Sequence, residues 1–328
     1  MPNHCEKIWF NGKIVNWDQA TTHVMSHGLH YGSGIFEGVK CYTTSEGPAI
    51  FKVQDHIDRF LTSAKIYRMP TPFSKEELVQ GCLDIIKENG VENGYIRPVA
   101  FYGYDTLGVH PKDCPVQVSI GAFDWGAYLG QDALVKGVRV TVSPWRKFHS
   151  SSFPTTAKAN GQYLNSMLAV QDAKSKGFDE GLLLNQEGTI AEGAGQNIFL
   201  VKNGKLYTNE EDSSILMGIT RETVIKIARD LGYKVRIGRL SVGQLLSADE
   251  AFFTGTASEV TPIRELDQRP VGSGGRGPIT EKLQTAYMDV VHGRNPKYTS
   301  WLTYVQPTSN NDLANKNDGS SYGASVQV

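Results

Sequence analysis

Net charge, cysteine and long apolar runs are all scarce here. With 33 Lys and Arg against 34 Asp and Glu, the 328 residues carry a formal net charge of −1. No basic run or stripe stands out, so neither a nucleic acid nor an anionic membrane is expected as a partner. The four cysteines, Cys5, Cys41, Cys82 and Cys114, are far apart and form neither a CxxC nor a zinc-type spacing, so no metal or redox centre is expected. No apolar run approaches the ~20 residues of a membrane-spanning helix. The opening MPNHCEKIWFNGKIVNWD lacks the apolar core of a signal peptide. A soluble, cytoplasmic protein is expected.

What is present is enough apolar material for a sizeable core, 40% of residues, in a chain long enough for two domains at roughly 100–200 residues each. The predicted fold class is α/β (α+β). A small N-terminal α+β domain (1–123) and a larger C-terminal α/β domain (137–306) are joined by an interdomain loop (124–136). The segment 307–328 is polar, has little to bury and is expected to be a disordered or artificially appended tail. In the first part, Asn11-Gly12 predicts a hairpin, and GIFEGVKCY and GPAIFKV read as strands. Two helices follow: one carries Ile57, Phe60, Leu61 and Ala64 on one face, and the other opens with a Ser74–Glu77 capping box and ends at Gly90. Strands GYIRPVAFYGY and PVQVSIGAF close this part. In the second, VRVTVSPW, EGLLLN, an Asn203-Gly204 hairpin, KVRIG and EAFFTGT read as strands, with helices after Lys158, from Gly218 and near ITEKLQTAYMDVVHG. Val224, Ile225, Ala228 and Leu231 form the stripe of the middle helix.

The stretch FPTTAKANGQYLNSML sets one lysine, Lys158, among small residues before a helix whose Leu164, Met167, Leu168 and Gln171 recur at helical spacing, with Gly177 as its C-terminal cap. Two readings stand. Lysines are mostly exposed, and this one could be an ordinary surface residue. Alternatively, burial lowers its pKa from about 10.4 and makes the amine a nucleophile able to form a Schiff base with an aldehyde cofactor.

Three features could hold the phosphate of such a cofactor. LMGIT, Leu216–Thr220, places a glycine and a threonine before a helix whose unpaired N–H groups and dipole favour an anion. TGTAS, Thr254–Ser258, follows an apolar strand, and Arg59 offers a cation. Each has an ordinary counterpart: a plain N-cap, a turn, a solvated helix charge. Glu192 in IAEGAGQN is flanked by backbone and could face a protonated ring nitrogen, and Tyr163 could bond a ring oxygen. Either could equally be structural. GSGGRG, Gly272–Gly277, fits GxGxxG but follows ELDQRPV, a poor central strand, and reads as a loop. GLHYGSGIFEG lacks the ending of a P-loop and suits tight packing beside an aromatic pocket.

Together these residues resemble the class IV (fold type IV) pyridoxal-phosphate aminotransferases. The run from Glu192 through Asn197-Ile198-Phe199, Leu206, Thr208, Leu216, Gly218, Ile219 and Arg221 is similar to that family's long signature. HGLHYGSGIFEG, YIRP, PWRKF…TAKANGQYLNS, GIT and GTASEVTPI resemble its branched-chain amino acid aminotransferase branch, from about Lys7 to about Val305. The resemblance implies that Lys158 is the catalytic Schiff-base residue of pyridoxal 5′-phosphate and moves the substrate proton. It implies that Glu192 pairs the ring nitrogen, that Tyr163 bonds the ring oxygen, and that Arg59, Ile219, Thr220 and Thr256 hold the phosphate. Phe36, Tyr95 and Trp125 would line an apolar substrate pocket bordered by DWGAYLG. Tyr31 and Val109 would reach over from a second subunit, and Tyr95 with Thr256-Ala257 would take the substrate α-carboxylate.

The implied reaction moves the amino group of L-leucine, L-isoleucine or L-valine to 2-oxoglutarate, giving L-glutamate, in at least a homodimer with sites at the subunit interface. One pocket must then accept both an apolar side chain and a γ-carboxylate. Arg97, on the strand carrying Tyr95, is the candidate partner for that carboxylate. At His110 in LGVHP the sequence departs from the small polar residue expected. The rivals are a D-amino acid aminotransferase or aminodeoxychorismate lyase on the same fold, and a non-catalytic nucleotide-binding protein.

Overall fold

The computed structural model describes residues 3–124 and 130–305. Trp125, the DWGAYLG loop from that residue through Leu129, and the tail 307–328 lie outside the described residues.

The first sheet starts from the predicted hairpin. Asn11 (φ 48°) and Gly12 (φ 85°) are both left-handed, the geometry whose twist matches a tight two-residue turn between Lys7–Phe10 and Lys13–Asn16. The nine strands run Leu302–Tyr304, Gly47–Phe51, Val39–Thr44, Gly94–Tyr102, Val116–Asp124, Lys7–Phe10 and Lys13–Asn16, with Asn3–His4 and Gly34–Phe36 paired at the side. Helices Val53–Ile66 and Lys75–Glu88 pack together against this sheet, burying Ile57, Phe60, Ala64, Leu78 and Ile85 with Ile96, Val118 and Ile120. Both halves of the Ser74–Glu77 capping box form.

The second nine-stranded sheet runs Ile190–Gly193, Glu180–Leu184, Val138–Arg146, Glu259–Leu266, Glu250–Gly255, Asn197–Lys202, Lys205–Thr208 and Val235–Ile237, with Arg269–Pro270 at the side. Helices Ile219–Asp230 and Pro278–Val291 pack on it. One apolar cluster joins Tyr42, Ala49 and Phe51 of the first sheet to Phe199, Val224, Phe252 and Tyr287. The two sheets therefore share a seam of core, and the last described strand, Leu302–Tyr304, returns to the first sheet.

Several local expectations change. The helix after Lys158, Tyr163–Ser175, buries Ser166, Ala169 and Ala173, while Leu164 and Met167 stand 61% and 46% exposed. Its small-residue face lets it lie close on the sheet, and its apolar stripe is left outward. Leu231 likewise ends outside its helix and is exposed. The expected bare connection between the domains holds a short helix, Gln131–Lys136. GIFEGVKCY is two strands broken at Glu37-Gly38, and GLHYG lies in the helix His27–Tyr31 and its Gly32 cap. EVTPIREL is an interior strand in spite of Pro262, which faces Phe252 across the antiparallel pair.

Candidate active site

A cavity of about 260 Å³ opens where the two sheets meet. Lys158 lies in it, two residues before the 3₁₀ turn Asn160–Gln162 that leads into Tyr163–Ser175. Its backbone is held on both sides: its N–H donates to Ser63 Oγ (3.0 Å), and its carbonyl accepts from Phe36 N (3.0 Å). The side chain crosses the Phe36 ring with Nζ 4.6 Å from the centroid and reaches the Tyr163 hydroxyl. Burial lowers the ammonium pKa to about 8; Arg59 and Arg97 push the same way, against Glu37 and Tyr95. Burial raises the Tyr163 phenol to about 12, so it keeps its proton.

Arg59 comes from the helix Val53–Ile66 and is aimed by Glu37. Nε and Nη2 donate to the two oxygens of that carboxylate at 2.6 and 2.9 Å, and Nη1 donates to Met217 O at 2.9 Å. Glu37 is fully buried. Burial alone would raise its pKa, but the Arg59 guanidinium and the hydrogen-bonded His56 overcome this and hold it far below the usual carboxylate range. His56, shifted down by burial, donates from Nδ1 to Glu37 (2.8 Å). Glu37 is not among the residues that the sequence points to. Its one signal is an acid set inside an apolar strand, matched by His56 and Arg59 three residues apart on one helix.

Glu192 is not flanked by backbone alone. It is buried on strand Ile190–Gly193, its Oε1 lies 2.8 Å from Lys147 Nζ, and its Oε2 accepts from Asn197 Nδ2 (3.1 Å) and Leu216 N (3.3 Å). Lys147 is a further site residue without a sequence signal, since a lysine in PWRKF gives no sign of pointing inward.

Ile219 and Thr220 begin the helix Ile219–Asp230 behind Gly218, whose position carries no side-chain cap. A Cβ at Gly218 would lie 2.0 Å from Asn197 Oδ1, so only glycine lets the helix head come this close to the cavity. Opposite it, Thr256 and Ala257 form the turn between Glu250–Gly255 and Glu259–Leu266. Thr254 Oγ1 and Ser258 Oγ face the same space, buried and without a hydrogen-bond partner among the described residues.

Phe36, Tyr95 and Arg97 make the remaining wall, the guanidinium lying 4.9 Å from the Phe36 ring and 5.2 Å from that of Tyr95. Tyr31 and Val109 are not brought to this cavity. They sit on the surface, 46% and 78% exposed, where the Tyr31 hydroxyl donates to Leu107 O (2.7 Å).

The profile of Amino-transferase class IV matches residues 34–266, which include strands of both sheets and every cavity residue just described. The chain belongs to the class IV aminotransferases. Among its relatives in this family, the branched-chain-amino-acid aminotransferase of Pseudomonas aeruginosa is 48% identical over 299 residues, 91% of this chain and 97% of that protein. The Escherichia coli K12 protein of the same name is 45% identical over the same shares. A T.th. branched-chain amino acid aminotransferase, solved with pyridoxamine 5′-phosphate, superposes with a TM-score of 0.90 at 46% identity, covering 93% of this chain and all of that one. It has also been solved with N-(5′-phosphopyridoxyl)-L-glutamate, at a TM-score of 0.89 and 45% identity, covering 93% and 100%. The fold is thus the two-part α/β architecture of fold type IV.

Proposed function

We propose that the chain transfers the amino group of L-leucine, L-isoleucine or L-valine to 2-oxoglutarate, giving the branched 2-oxo acid and L-glutamate, with pyridoxal 5′-phosphate as cofactor. The observation that carries this is Lys158, a half-buried amine with a pKa lowered by desolvation, in one cavity with an uncapped helix head and a buried acid.

The residues fit the cofactor. Its phosphate matches the head of Ile219–Asp230, the Thr256 turn, the unpartnered hydroxyls of Thr254 and Ser258, and Arg59. Its ring nitrogen matches Glu192, and its ring oxygen matches Tyr163. When bound, pyridoxal phosphate supplies a carbonyl that takes up the amino group and a ring that draws electrons from the Cα–H bond. Lys158 Nζ is the amine that would hold the aldehyde, and its lowered pKa favours the neutral form that would accept the substrate's Cα proton and return it. Glu192, paired with Lys147, would hold a proton at the ring nitrogen. Tyr163, with its proton retained, donates toward the ring oxygen and orients Lys158.

Phe36 and Tyr95 offer apolar surface to an aliphatic side chain. Tyr95 and the Thr256-Ala257 backbone receive the α-carboxylate. Arg97 pairs with the γ-carboxylate of glutamate and can lie on the aromatic rings when the side chain is apolar. The two sheets act as domains with the cavity between them. The exposed Tyr31 and Val109 complete the pocket of a second subunit in a cytoplasmic homodimer or larger assembly, with Trp125 as a further wall residue.

A donor panel against 2-oxoglutarate that includes both enantiomers of leucine tests the reaction. Turnover of L-leucine is expected, whereas use of D-leucine alone would favour a D-amino acid aminotransferase. Arg97→Ala is expected to weaken use of glutamate and 2-oxoglutarate by roughly 1.5–3 kcal/mol, the range for a hydrogen bond to a charged group, and the leucine half-reaction much less. Stopped-flow half-reactions measure both, and an equal loss for the two amino acids would reduce Arg97 to a wall residue.

A further inference from the structure

The turn Thr256–Ser258 is followed by a residue that should not be there on backbone grounds. Glu259 has φ +53°, the left-handed region that disfavours a long side chain and accepts glycine freely. Strain of this kind persists where the surroundings hold it, and such positions cluster at working sites. Here the holding contact is a buried ion pair: Glu259 Oε1 lies 2.6 Å from Lys40 Nζ, with the two side chains 8% and 11% exposed. The Tyr42 hydroxyl donates to the same oxygen at 3.1 Å.

The contact crosses the molecule. Lys40 and Tyr42 belong to strand Val39–Thr44 of the first sheet, and Glu259 begins a strand of the second. The Tyr42 hydroxyl also interacts with that of Tyr287 on helix Pro278–Val291, and Tyr287 with Thr220 at the head of Ile219–Asp230. Burial pushes both phenols upward, so each keeps its proton. The chain Lys40, Glu259, Tyr42, Tyr287, Thr220 therefore links the two ends of the phosphate cradle. The turn itself is tightened by Thr261 Oγ1 donating to Ser258 O at 2.6 Å.

We propose that Glu259 is a positioning residue: its buried ion pair with Lys40 fixes the Thr256–Ser258 turn against the first sheet and, through Tyr42 and Tyr287, against the helix head at Thr220. This rests on the function proposed above, in which that turn holds the cofactor phosphate and the substrate α-carboxylate. Glu259 touches neither, so its loss should loosen binding more than it slows the bond-making steps.

Glu259→Gln, Lys40→Met, their double variant and Glu259→Gly test this, each compared with wild type for pyridoxal phosphate dissociation, for the KM and kcat of L-leucine and 2-oxoglutarate, and for Tm. Glu259→Gln is expected to raise the cofactor Kd and both KM values roughly tenfold, with kcat changed by less than about threefold. The double variant should be no worse than Glu259→Gln alone. Glu259→Gly removes the backbone strain and should still show the raised Kd and KM, which assigns the effect to the carboxylate. Unchanged Kd and KM with a lowered Tm, or losses from Lys40→Met and Glu259→Gln that simply add, would overturn the proposal. Wild type that binds the cofactor yet fails with L-leucine would instead overturn the function, and the cofactor Kd of the variants would still decide the role of Glu259.

Discussion

Lys158 and Glu192 owe their chemistry to neighbours that are distant in sequence. Because the folded pKa of Lys158, about 8, lies below the ordinary lysine value of 10.5, the unfolded chain binds more protons between those values. Stability of the cofactor-free protein should therefore rise with pH from about 8 to about 10.5, and be lowest with respect to this group below 8. Lys158→Met should flatten that part of the curve, as chemical denaturation across the pH range would show. Lys158→Ala should abolish turnover and the borohydride-stable cofactor label, and a label on another lysine would sink the assignment. Glu192→Gln should slow the leucine half-reaction, since an amide cannot hold the ring nitrogen protonated. The structure adds a second effect: the substitution leaves the buried Lys147 ammonium without its anion. A stability loss of about 1–3 kcal/mol is expected. Adding Lys147→Met should recover part of it in urea denaturation, because removing both members of a buried pair is milder than removing one. Neither Lys147 nor Glu37 could be placed from the sequence: Lys147 acquires its meaning only when the end of strand Val138–Arg146 meets Ile190–Gly193, and Glu37 only when helix Val53–Ile66 is laid against its segment.

Among the elements, the Ile219–Asp230 helix supplies its head to the proposed cofactor site. Its existence is readable from the spacing of Val224, Ile225 and Ala228, but its close approach to Asn197 is not. Gly218→Ala should force the helix head or Asn197 to move, because the added methyl would lie 2.0 Å from Asn197 Oδ1. A raised cofactor Kd with secondary structure retained, measured by cofactor titration and circular dichroism, is the expected outcome. On the Tyr163–Ser175 helix, periodicity misleads. Its apolar spacing points to the wrong side as the packed one, for Ser166, Ala169 and Ala173 face the sheet, because only small side chains allow that close packing.

For the whole molecule, the apolar side chains left outside are the informative ones. Leu29, Tyr31, Leu107 and Val109 are exposed on the first part of the chain, and Leu164 and Met167 on the helix that follows Lys158. If Tyr31 and Val109 serve the cavity of a second subunit, Val109→Asp should lower kcat/KM for L-leucine. Mixing it with Lys158→Ala, each inactive or weak alone, should then restore a fraction of the activity through hybrid dimers that contain one intact site. Mixing without recovery would place Val109 outside the pocket of any partner.

The sequence by itself determined the elements, the hairpin turns and the candidates for the site: Lys158, Glu192, Tyr163, Arg59 and the two small-residue turns carry local signals or match a long signature with its spacing kept. It also determined the α/β class, because strand and helix periods are local properties of the chain. Only the tertiary structure decided which charges meet. The pairs Arg59–Glu37, Lys147–Glu192 and Lys40–Glu259 join residues separated by 22, 45 and 219 positions. Burial, which lowers the Lys158 pKa and makes each of those pairs matter, has no one-dimensional signature, since it depends on what the second sheet lays over the first.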